Sequence, residues 1–163
     1  MNIRPAQEKD QPVITRIVRA ARINPFDLKW QNFLIAEDAN AGNIIGVGQI
    51  KTHGDSSREL ASIAVIPEKQ KQGIGAAIVR ALMQNEKPPL YLMCRAEMES
   101  FYVRFGFRQI GVDAMSKYFR RMFRLVNAMP EFLREGVRVI VMKWDGEGSR
   151  QSTVVSRQTN SES

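Results

Sequence analysis

Apolar residues recur along this chain in two rhythms, one of about two residues and one of three to four, and the alternation between them predicts the fold class. Ile3 to Ala6 reads as a short first strand. Val13, Ile14, Ile17, Val18 and Ala21 then return at helical spacing, with Arg16, Arg19 and Arg22 on the other side, Asp10 as the expected cap and Asn24-Pro25 as the stop. Pro25 to Trp30 reads as an irregular connection. Phe33 to Glu37 and Ile44 to Lys51 form a predicted hairpin around the turn residues Asn40 to Asn43, with Gly46 and Gly48 marking a bulge or a close backbone approach.

After a loop from His53 to Arg58, Glu59 to Ile66 is apolar almost throughout, as a central strand is. Ile74, Ala77, Ile78, Ala81 and Leu82 give the next segment, which runs to Asn85, a buried helical stripe, and Pro88-Pro89 bars its continuation. Leu90 to Cys94 reads as a strand, Met98 to Phe105 as a short helix and Phe107 to Ile110 as another strand. Asp113 to Asn127 is a basic amphipathic helix with Met115, Phe119, Met122, Phe123 and Val126 on one side. Pro130 and Gly136 bound a connecting piece, and Val137 to Lys143 is the last strand. The Ser-, Gln- and Thr-rich tail from residue 146 to 163 lacks the apolar content to fold and is expected to be disordered, leaving one domain over residues 1–145.

Composition narrows the class. With 44% hydrophobic and 25% charged residues in 163, the chain is an ordinary globular one, with no apolar run long enough for a membrane span. Its first ten residues are charged where a secretory signal is apolar, and its one cysteine, Cys94, suits a reducing compartment, so a cytoplasmic setting is expected. Cys94 itself reads as a small hydrophobe on a strand. The net charge of +7 is concentrated between Asp113 and Lys143, where seven Lys or Arg face three acidic residues. A basic surface attracts phosphates, acidic substrates, nucleic acid or membranes without choosing among them. Nucleic-acid binding rests on that charge alone and is set aside. The lone His53 cannot build a metal site and reads as a solvated loop residue.

Two motifs carry chemistry. Gln70-Lys71-Gln72-Gly73-Ile74-Gly75 stands between a strand and a helix; glycines there allow a ligand to approach the backbone, and the free amides and dipole of the helix start favour an anion. Alone, the pattern also describes a plain chain reversal. About thirty residues on, Phe101-Tyr102-Val103-Arg104-Phe105-Gly106-Phe107 ends a helix at a glycine and starts a strand, which helix capping and aromatic packing can also explain.

Together, in this order, the two motifs resemble those of the GNAT superfamily of N-acetyltransferases. The likeness covers Ile3 to Lys143 in element order and Glu59 to Phe107 in specific motifs. It implies an α/β (α+β) fold: a mixed, mainly antiparallel sheet of about seven strands, flanked by helices and splayed between strands 4 and 5, with acetyl-coenzyme A in the split. It further implies that Ile63, Ala64 and Val65 offer backbone groups to the pantetheine arm. By the same likeness Gln70, Lys71, Gln72, Gly73, Ile74, Gly75 and Ala76 cradle the pyrophosphate, with charge from Lys69 and Lys71 nearby and no metal.

An alkylammonium must lose a proton before it attacks, and a thiol leaves better protonated. Tyr102 matches the family's general acid, and Glu59 the general base of its histone-acetylating branch, acting through a water. Arg95 replaces an asparagine common in the family. Lys117, Arg120, Arg121 and Arg124 are read either as the solvated side of a packing helix or as a lid that selects a negatively charged acceptor. The expected reaction is direct acetyl transfer to a primary amine in a ternary complex. The acceptor, a small amine, an amino acid, or a protein terminus or lysine, stays open, as does a homodimer. The alternative is a coenzyme A-binding module that senses or scaffolds without catalysis.

Overall fold

The computed structural model describes residues 1–129 and 136–146. Seven strands form one sheet: β1 (Asn2–Pro5), β2 (Phe33–Glu37), β3 (Ile44–Thr52), β4 (Arg58–Val65), β5 (Leu90–Arg95), β6 (Arg108–Gln109) and β7 (Val139–Trp144), in the order β1-β2-β3-β4-β5-β7-β6. Every neighbouring pair is antiparallel except β4 and β5, which run parallel. Among the described residues four helices cover the sheet: α1 (Gln11–Ala20), α2 (Ile74–Met83), α3 (Glu99–Val103) and α4 (Lys117–Ala128). The expected tail from 147 and the connection at 130–135 lie outside the described residues.

Alternation along the strands sorts the core. Leu90, Leu92, Ile140 and Met142 pack with Ile74, Ile78, Val79 and Leu82 of α2. Tyr91 and Val141, one residue out of phase, pack instead with Met115 and Phe119 at α4. The buried stripe Ile14, Ile17 and Val18 of α1 meets Phe33, Ile35, Val47 and Ala64. Thus α2 covers one face, while α1 and α4 share the other and leave a gap between them. Gly46 and Gly48 lie directly under α2: a Cβ on Gly48 would stand 2.7 Å from Ile78 and 2.6 Å from Ile63. The predicted close approach is real, and a bulge adjoins it.

That bulge shapes the site. Val47 faces Ala64 and Gln49 faces Ala61, so two steps on β3 oppose three on β4. Ser62 is the extra residue, held at φ 57° and hydrogen-bonded through its Oγ to Gln49 Nε2 at 2.8 Å. A bulge bends its strand and sharpens the local twist. Accordingly β4 and β5 share one register pair, Glu59 with Tyr91, and separate beyond it. The splay expected between the fourth and fifth strands is present.

Several boundaries moved for physical reasons. Asp10 does not cap α1; its carboxylate accepts from the Gln7 amide and from Arg4, which also bonds Glu37 at 2.6 Å, and the Arg4 bond holds the Asp10 carboxyl below its usual range. α1 ends at Ala20, before Asn24-Pro25, as Arg22 turns to φ 52°. α4 starts at Lys117 rather than Asp113, because Val112–Ala114 form a 3-10 turn and Ser116 caps the helix through Phe119 N–H.

Candidate active site

Past the Glu59 to Tyr91 pair, the facing edges of β4 and β5 border a cavity of about 750 Å³. Its walls include Glu59 to Val65, Met93 to Arg95, Lys69 to Lys71, Gly73 to Ala76, and Phe101, Tyr102 and Arg104. The sequence-predicted residues Ile63, Ala64, Val65, Gln70, Lys71, Gly73, Ile74, Gly75, Ala76, Glu59 and Tyr102 all stand on this one surface; Gln72 is exposed beside it.

The loop ahead of α2 is shaped for close approach. Gly73 is the helix N-cap at φ 81°, a left-handed conformation that costs glycine little, and Lys71 is also left-handed at 61°. The next amides, of Ile74, Gly75 and Ala76, begin a helix and have no intrahelical acceptor. Gln70 braces the loop: its Nε2 donates to the Val65 carbonyl at 3.1 Å. Lys69 does not add free charge as expected, since its Nζ binds Asp38 at 2.7 Å and holds that carboxyl down to about 2. Lys71 stays exposed, and Arg104 lies over the ring of Phe101 at 4.9 Å.

Tyr102 is buried at the cavity wall, 9% exposed, with edge contacts to Phe101 and Phe107. Burial, reinforced by neighbouring Cys94, raises its phenol well above the ordinary value, so it keeps its proton at neutral pH. Cys94 is also pushed up, to about 12, by burial and by Glu99 and Glu97, which makes it an inert thiol as read from the sequence.

Glu59 sits at the other end of the cavity, and here the sequence reading of His53 fails. Rather than being solvated, the imidazole is 9% exposed, with Nε2 2.8 Å from Glu59 Oε2. It stacks on Tyr118 at 3.5 Å and meets Phe119 edge-on at 5.7 Å. Asp55 fastens this arrangement by accepting from Ser57 N–H and Oγ and, at 2.7 Å, from Tyr118 N–H at the start of α4. Although partial burial opposes its charge, those bonds hold the Asp55 carboxyl well below the ordinary range. Burial raises Tyr118, with Glu59, Asp27 and Asp55 adding to the shift. Lys51, to which the sequence pattern assigns no role, is a second missed residue: it is 5% exposed, lines the cavity, and donates to the Phe26 carbonyl at 2.9 Å. Reading His53 to Ser57 as a tight hairpin would have set Lys51 opposite Glu59.

Of the basic residues on α4, Arg120 is engaged internally, with its guanidinium on the carbonyls of Val112, Asp113 and Met115. Lys117, Arg121 and Arg124 are exposed.

The fold recurs in known proteins. The family model for the acetyltransferase (GNAT) domain matches residues 29–109. Mycothiol acetyltransferase from Mycobacterium sp. (strain JLS) is 23% identical over 114 residues, which are 70% of this chain and 37% of that protein. A Mycobacterium tuberculosis protein solved in complex with CoA and NLQ superposes with a TM-score of 0.68 at 22% identity, over 90% of this chain and 99% of that one. N-acetylglutamate synthase from Neisseria gonorrhoeae, solved with coenzyme A and N-acetyl-glutamate, gives 0.68 at 19% identity, over 88% of this chain and 34% of that one. The chain belongs to the GNAT acetyltransferases.

Proposed function

We propose that the chain transfers the acetyl group of acetyl-coenzyme A to a primary amine by direct attack in a ternary complex. The observation that carries this reading is the joining of a glycine-lined helix start, a splayed strand edge, a protonated buried tyrosine and a carboxylate along one cavity. The cradle fits the cosubstrate: a Cβ at Gly75 would stand 3.7 Å from Phe101, so side chains larger than glycine narrow the crevice where a pyrophosphate would rest. Backbone groups of Ile63, Ala64 and Val65 suit the pantetheine arm, and the amides from Lys71 to Ala76 suit the pyrophosphate, the Gln70 N–H being taken by the Pro67 carbonyl.

Acetyl-coenzyme A supplies a thioester, an acyl group already bound to a good leaving group. Glu59 takes the proton of the acceptor ammonium, directly or through one water, while His53 fixes the carboxylate from behind. A backbone N–H near Val65 steadies the carbonyl oxygen as it gains charge. Tyr102 donates its O–H to the departing sulfur. Burial has raised this phenol, so proton transfer is favourable only once charge has built up on sulfur in the same dry cavity; before that it contributes a hydrogen bond.

Among the described residues no helix is long and apolar enough to cross a membrane, and the cysteine usage supports a cytoplasmic setting. The test is thiol release from acetyl-coenzyme A across a panel of primary amines, with acetylated product identified by mass. Coenzyme A binding without turnover on any amine would favour a sensor or scaffold instead.

A further inference from the structure

The hairpin joining β3 and β4 sets a cation and a carboxylate side by side. Lys51 and Glu59 are register partners, and residues so opposed project from the same face with Cβ atoms about 5 Å apart. Both line the cavity, in the gap that α1 and α4 leave on that face. Yet they do not pair with each other. Glu59 is turned to His53, at 2.8 Å, and Lys51 to the Phe26 carbonyl, at 2.9 Å.

The lysine is incompletely satisfied. Its ammonium has three donors, of which Phe26 takes one, and among the described residues nothing else accepts from it. At 5% exposure a charge left with one neutral partner is costly, and the balance has to come from an anion or ordered water in the cavity. Among the described residues that line the cavity Glu59 is the one acidic side chain, and it is engaged elsewhere. Of the other lysines there, Lys69 is neutralised by Asp38 and Lys71 belongs to the loop ahead of α2.

We propose that Lys51 and Glu59 form the acceptor subsite and that the acceptor is an α-amino acid. This rests on the acetyl-transfer reading above and names its substrate class. A zwitterion that carries ammonium and carboxylate on one carbon matches adjacent charges of opposite sign: its carboxylate takes the free donors of Lys51, and its ammonium lies at Glu59. The ammonium gives one proton to Glu59, and the freed lone pair forms the C–N bond as the C–S bond breaks. The sulfur takes a proton from Tyr102, the acylated nitrogen releases its second proton to water and through it to the tyrosinate, and Glu59 returns its own proton to solvent. The N-acetyl product keeps its hold on Lys51 but has lost the charge that held it to Glu59. A polyamine, by contrast, would set a second cation against Lys51.

The experiment compares L-leucine, L-glutamate and L-glutamine with their α-carboxamides, which keep the ammonium and lose the carboxylate, in wild type, K51M and K51R. Removing one charge-assisted hydrogen bond predicts kcat/KM favouring the acids by about 30-fold in wild type, under about threefold in K51M and intermediate in K51R. Carboxamides used as well as acids by wild type, or a preference retained in K51M, overturns the proposal. Should the acetyl-transfer reading itself fail, binding still decides. His53 is the single histidine, so in untagged protein with coenzyme A bound its imidazole resonance reports the subsite alone. A saturable shift with L-glutamine but not with its carboxamide, abolished in K51M, supports the proposal. No shift with any of the acids overturns it.

Discussion

Gly75 occupies the second position of α2 in ordinary helical backbone, where an added Cβ would meet Phe101, Val65 and Ile63 at 3.7, 3.8 and 3.9 Å. Those are normal van der Waals distances, so the free protein accepts Gly75→Ala without rearrangement. Removing glycine's extra freedom from the unfolded chain stabilises by about 0.4–1 kcal/mol, which for a chain of this size raises Tm by roughly 1–4 °C. Gly75 also lines the cavity, within the loop and helix start assigned to the pyrophosphate, so the same methyl takes up space there. Displacing the phosphates from one charge-assisted hydrogen bond costs about 1.5–3 kcal/mol, hence roughly 10- to 100-fold in coenzyme A affinity. Stability and binding therefore move in opposite directions. Gly73→Ala is the counterpart: nothing lies within 4 Å of its Cβ, but φ is 81°, so strain of about 1–2 kcal/mol lowers Tm. Calorimetric titration with coenzyme A beside a thermal melt reads both quantities. If Gly75→Ala raises Tm and binds coenzyme A as tightly as wild type, the assignment of this loop to the pyrophosphate is wrong.

Tyr102→Phe is expected to lower kcat at least about tenfold with coenzyme A affinity kept within about twofold; an unchanged kcat removes the phenol from the mechanism. Glu59→Gln should cost about 100-fold in kcat while leaving coenzyme A affinity in place. His53→Phe, which keeps an aromatic ring against Tyr118 but loses the bond to Glu59, should lower kcat while leaving the KM for acetyl-coenzyme A in place. Asp55→Ala removes the carboxylate from the start of α4 and should destabilise by about 1–2 kcal/mol, read as a lower Tm. The carboxyls of Asp10, Asp38 and Asp55 are all held below their usual range. Their contribution to stability is therefore full above about pH 4 and lost as pH falls through the folded values, Asp38's being about 2. Tm measured from pH 6 to pH 2 should fall, and Asp38→Asn should flatten the decline.

Local pattern made the loop and helix along one end of the cavity legible. The stripe of Ile74, Ile78 and Leu82 located α2, the two glycines located its start, and Tyr102 entered through the likeness of its aromatic motif to that of the GNAT family. Each of these is written within one element and its flanking turn. The end of the cavity around Glu59 is assembled from distant parts. His53 looks solvated until Tyr118, 65 residues on, stacks against it and Asp55 ties their segments together. Lys51 ends an alternating strand, where a lysine ordinarily reaches solvent; its burial depends on the loop around Phe26 folding over it. The splay itself depends on Ser62, whose positive φ is enforced by strand pairing on both sides of it rather than by its own preference. Position alone makes Asp10 a helix cap, whereas Arg4 and the Gln7 amide compete for the same carboxylate and win.

The most direct measurement is stoichiometric: purified chain, acetyl-coenzyme A and a panel of primary amines, with free thiol and N-acetylated product quantified together. Direct acetyl transfer predicts equal amounts of both, saturation in each substrate, and a rate reduced at least about tenfold in Tyr102→Phe. Coenzyme A bound in the cavity with no amine acetylated, or thiol released by hydrolysis alone, would contradict it.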